Sequence, residues 1–162
     1  MKGYPKSYPR LLYLTMFTLA ISGLFLVPTF IDLYLEMDMP WRASSDQRLW
    51  IAGTHTAAGI FFMMLFGALW AIHMRAGWRR KRHLISGFAL SGTALLLTLS
   101  CLEIFYSGNE DLSWWSSTTH VALGMFGIPA FAAHRLVAQR RPRRRQHKPA
   151  RWTNAAASLQ EQ

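Results

Sequence analysis

The sequence predicts an all-α protein, an integral membrane four-helix bundle with both termini in the cytoplasm. Three observations carry that prediction. Residues 11–35, 49–74, 84–106 and 115–137 form four apolar blocks, each close to the ~20 residues a helix needs to cross the hydrocarbon core. Short polar or charged segments separate the blocks, as membrane hairpins require. The basic residues are also segregated: of the 18 Lys and Arg, all but Arg42 and Arg48 precede the first block, join the second to the third, or lie at the end of the fourth and beyond it. The other side carries Asp32 and Glu103 at block ends and Glu36, Asp38, Asp46, Glu110 and Asp111 in its two connections, so the positive-inside rule puts those acidic loops outside and the termini inside.

Composition agrees with this organisation. A chain of 162 residues that is 51% hydrophobic, with Trp 7, Phe 10 and Met 8, is too apolar for an ordinary soluble domain of its size. Its mean hydropathy of +0.10 averages apolar blocks with basic ends. The net charge of +10 is explained by topology. Nucleic acid is not an expected partner, because a basic tail carries no base-reading chemistry of its own. Cys101 is the single cysteine and excludes an intrachain disulfide. Residues 1–10 read as a cytoplasmic N-terminus, 11–138 as the membrane domain, and 139–162 as a basic tail, disordered or lying on the surface.

The first block has no small-x-small cleavage site and reads as a retained helix. Its Ser22-Gly23 pair lets a neighbouring helix or a flat ligand approach closely. Pro28 should kink or end it, leaving Asp32 at the outer boundary as a candidate proton acceptor for a quinol or as a solvated helix end. The outer loop from Met37 to Trp50 carries interfacial Trp41 and Trp50. Arg42 and Arg48, its only cations, are candidates to neutralise carboxylates of a bound cofactor.

The second block carries His55 and His73, 18 residues apart. At ~100° per residue this is five turns, so both share one face, about 27 Å apart. Gly59, Phe62 and Phe66 lie on that face, and Gly59 leaves room for a flat ligand one turn from His55. The third block, rich in Ser and Gly, suits tight packing. His83 stands at its start, and Glu103 near its outer end is a second candidate proton acceptor. The fourth block carries His120 and His134, 14 residues and about 21 Å apart. Gly124, Gly127 and Phe131 lie between them, and Pro129 bends the helix toward reconciling the two spacings.

Ionisable residues inside membranes usually have functional work. The second and fourth helices run in the same direction, so His55 and His120 share an outer level and His73 and His134 an inner one. Two facing imidazoles per level suit six-coordinate haem iron. Zinc asks for three or four protein ligands, and no level offers them. The expected cofactors are therefore two b-type haems, the outer one better supported, with His55, His120, His73 and His134 as iron ligands.

On the motifs HTAAG and HVALG, with the inner His73 and His134, residues 11–138 resemble the small bacterial membrane-embedded di-haem b-type cytochromes. The resemblance implies a quinone-linked cytochrome b subunit in the bacterial inner membrane. It would pass electrons between the quinone pool and other redox subunits or a periplasmic electron carrier. Spacing near 14 residues is usual there; the 18 residues between His55 and His73 depart from it and leave His83 as an alternative inner ligand. Two other classes stay open: an ion or proton transporter with a histidine relay, and a structural membrane anchor. No G-x-S-x-G, phosphate-cradling loop or H-E-x-x-H occurs.

Overall fold

The computed structural model describes residues 4–79, 81 and 84–139. His83, Lys2 and the basic tail beyond residue 139 lie outside the described residues. The described chain is all-helical: α1 (Tyr8–Tyr34), α2 (Ser45–Leu69), a π-helical turn (Trp70–Met74), α3 (Arg75–Arg79), α4 (Leu84–Tyr106) and α5 (Glu110–Gln139). The second rod, α2 through α3, is continuous over Ser45–Arg79. With α1, α4 and α5 it makes four helical rods, each long and apolar enough to span a membrane.

Local chemistry sets the helix ends beyond the apolar blocks. Pro9 sits in the first turn of α1, where its missing N–H costs nothing. The helix continues through Pro28 rather than ending there. It stops where Glu36 takes φ 52° and the Met37 N–H reaches back to the Ile31 carbonyl at 3.5 Å, a close through a left-handed residue just past the helix end. A capping box starts α2: the Ser44 hydroxyl accepts from the Gln47 N–H, and the Gln47 side chain accepts from the Ser44 N–H. The Asn109 side chain accepts from the Leu112 N–H at 2.9 Å, and Glu110 and Asp111 favour the positive end of α5.

The helices pack as a ring. α1 lies against α2 and α4 against α5. α1 also meets α5, through Tyr34 and Ser113 at one end (3.3 Å) and the Tyr13–Phe131 rings at the other (6.2 Å). The ring closes between α2 and α4, where the Thr98 hydroxyl lies 3.1 Å from Met63 Sδ. Consecutive neighbours are antiparallel, so α2 and α5 are diagonal across the ring and run the same way. Large apolar side chains such as Phe17, Ile60, Ile85 and Phe126 point outward, each more than 60% exposed, as lipid-facing residues do. Thr15, Thr18, Ser91, Thr93 and Thr98 satisfy their hydroxyls on carbonyls four residues back, the available solution where no water competes.

Candidate functional site

The two outer histidines meet in the centre of this ring. His55 projects from α2 and His120 from α5, with ring centres 6.1 Å apart and planes inclined at 71°. Two imidazoles gripping one metal through bonds of about 2 Å place their ring centres roughly 6–6.5 Å apart. The observed 6.1 Å falls in that range. Among the described residues no group of three or more His, Cys, Asp or Glu could hold a metal, so this level offers two imidazoles where a zinc site asks for three or four protein ligands.

Each outer histidine is held from behind. Ser22 Oγ lies 2.9 Å from His55 Nδ1, and Ser100 Oγ lies 3.0 Å from His120 Nδ1. Both serines are buried. Gly23 makes the first contact geometrically feasible: a Cβ there would stand 3.2 Å from His55 Cε1, closer than a comfortable carbon–carbon contact. The close approach expected of Ser22-Gly23 is thus made by an imidazole.

The other glycines divide. A Cβ at Gly59 would meet Leu19 of α1 at 4.0 Å, and one at Gly127 would meet Thr93 of α4 at 3.8 Å, so both face neighbouring helices. A Cβ on Gly124 would meet nothing within 4 Å. Gly124 is one turn from His120 and has open space where a side chain would stand.

The inner level is built differently. His134 repeats the serine contact, with Ser86 Oγ 2.8 Å from its Nδ1. His73 lies exposed within the π turn. There the Tyr4 hydroxyl donates to the Ala68 carbonyl at 3.1 Å and accepts from the His73 N–H at 3.2 Å. Ala68 and His73 are five residues apart, so Tyr4 bridges an i→i+5 gap, and a side chain inserted into the ladder is a recognised cause of such a distortion. The expectation that His55 and His73 share a face assumed an unbroken α-helix. The π turn corrects it, because one extra residue rotates the remainder of the helix by up to ~100°. Among the described residues His73 and His134 are not brought ring to ring as the outer pair is.

The remaining candidates lie toward the outer end. Arg42 pairs with Asp32, so the guanidinium expected to neutralise a cofactor and the carboxylate expected to take a proton engage each other. Arg48 and Glu103 are exposed. At the other end Phe131 packs on Tyr13, over whose ring the Arg135 guanidinium sits at 4.6 Å. The functional residues that the sequence alone does not single out as such are Ser22, Ser86 and Ser100. A signal was present: Ser86 and Ser100 stand 14 residues apart, the same interval as His120 and His134. Comparison with family models, curated proteins and solved structures finds no match to this chain.

Proposed function

We propose that this chain carries electrons across a membrane through b-type haem, with its outer iron held between His55 and His120. The observation that carries the reading is the approach of two imidazoles to 6.1 Å on diagonal, co-directional helices. Haem held by His55 and His120 would supply a reversible one-electron change. The protein's part is to fix ligand geometry, exclude water and keep the site dry among apolar helices. The segregation of basic residues supports cytoplasmic termini, and the inner membrane of a bacterium is the setting proposed. A quinone pool on one side and a redox subunit or periplasmic carrier on the other complete the proposed path. A second haem at the inner level rests on His134 and its Ser86 contact, with His73 or His83 as the opposite ligand.

A reduced-minus-oxidised optical spectrum of the purified chain tests the reading. The proposal predicts a sharp alpha band of bis-histidine haem b, and His55→Ala and His120→Ala should each remove the same component while His73→Ala retains it. A chain without visible absorbance would exclude the proposal and leave a histidine proton relay or a structural anchor.

A further inference from the structure

Ser22 and Ser100 do more than fill space behind the histidines. A serine hydroxyl has one proton to give. At Ser22 a helix carbonyl lies within reach, that of Thr18 at 2.6 Å; at Ser100 it is that of Leu97 at 3.1 Å. With those protons directed to carbonyls, each oxygen faces its histidine as an acceptor, so Nδ1 is the nitrogen that carries the imidazole proton. The Nε2 lone pair is then the metal donor, and Nδ1–H is anchored in the way metal-binding histidines commonly are. A neutral hydroxyl also performs this task without placing a carboxylate at bilayer depth, where charge is expensive.

We infer that Ser22 and Ser100 are positioning residues that hold His55 and His120 in the metal-donating tautomer and, through the Nδ1–H contact, tune the reduction potential of the outer iron. The inference rests on the haem reading for its redox consequence and on the protein alone for the tautomer. An acceptor at Nδ1–H makes an imidazole a stronger donor, which favours the oxidised iron. Removing that acceptor therefore raises the midpoint potential.

The test is redox titration and haem binding of the full chain carrying Ser22→Ala, Ser100→Ala, Ser22→Thr or Ser100→Thr. Each alanine variant should raise the outer midpoint potential and weaken haem affinity ~10–100-fold, and each threonine variant should restore both toward wild type. Alanine variants with unchanged potential and affinity would overturn the inference, as would threonine variants that behave like alanine. Nitrogen-15 spectra of the histidines separate this result from failure of the haem reading. Should the wild-type chain bind no haem, His55 and His120 protonated on Nδ1 would still support the serine role, whereas protonation on Nε2 would defeat it.

Discussion

The outer and inner halves of the bundle begin from the same plan and end differently. At the outer level, α2 and α5 each present a histidine, each is backed by a buried serine, and the rings meet at 6.1 Å. At the inner level α5 repeats the device 14 residues on, as His134 with Ser86, but the corresponding position of α2 is Leu69. His73 comes four residues later, inside a turn whose ladder is opened by Tyr4. Matched depth therefore depends on more than residue spacing: it requires an unbroken helix between the two positions. α5 keeps that regularity through Pro129, and α2 loses it to a tyrosine from the other end of the chain.

The comparison can be broken most forcefully at Gly23. Replacing it with Val puts branched carbon where a Cβ alone would already be 3.2 Å from His55 Cε1. Gly23→Val should displace the imidazole and abolish most of the outer haem signal, measured as haem per chain by absorbance. Gly23→Ala should weaken binding less, because the ring can give by a few tenths of an ångström.

A milder intervention sharpens the inner half. Tyr4→Phe removes both bridging hydrogen bonds to α2 and its π turn, at a cost of about 1–2 kcal/mol. Hydrogen exchange or backbone carbonyl spectroscopy around residues 68–73 should report closure toward a regular helix, with the outer haem spectrum unchanged. Loss of the outer haem in that variant would show that the two levels are coupled and not independent.

The smallest effect is expected at the Arg42–Asp32 pair. Arg42 is 63% exposed and Asp32 20%, so Arg42→Ala should cost no more than about 1 kcal/mol of stability in thermal unfolding, decreasing with added salt. A shift of the outer midpoint potential in the same variant would assign Arg42 an electrostatic role toward the site that its ion pair does not suggest.

Much of this architecture is legible in the residues themselves. Apolar block length announces four helices, and the span at residues 84–106 coincides with α4. α2 and α5 begin ahead of their apolar blocks because caps and charged first turns at Ser44, Asn109 and Glu110 extend them. Charge segregation and the shared H-x-x-x-G contexts give the co-directional pairing of His55 with His120, since both arise from local sequence. The π turn is not legible, because it depends on a contact across 69 residues between Tyr4 and His73. Ser22, Ser86 and Ser100 read as small packing residues until a histidine is placed opposite each one. Only the bundle reveals that the serines of α1 and α4 face the histidines of α2 and α5.

Electron paramagnetic resonance of the oxidised chain tests the central claim most directly. Imidazole planes inclined at 71° predict a strongly anisotropic low-spin ferric signal, lost in both His55→Ala and His120→Ala. A chain with no low-spin ferric signal, or one whose strongly anisotropic component survives either substitution, would contradict an iron held between those two histidines.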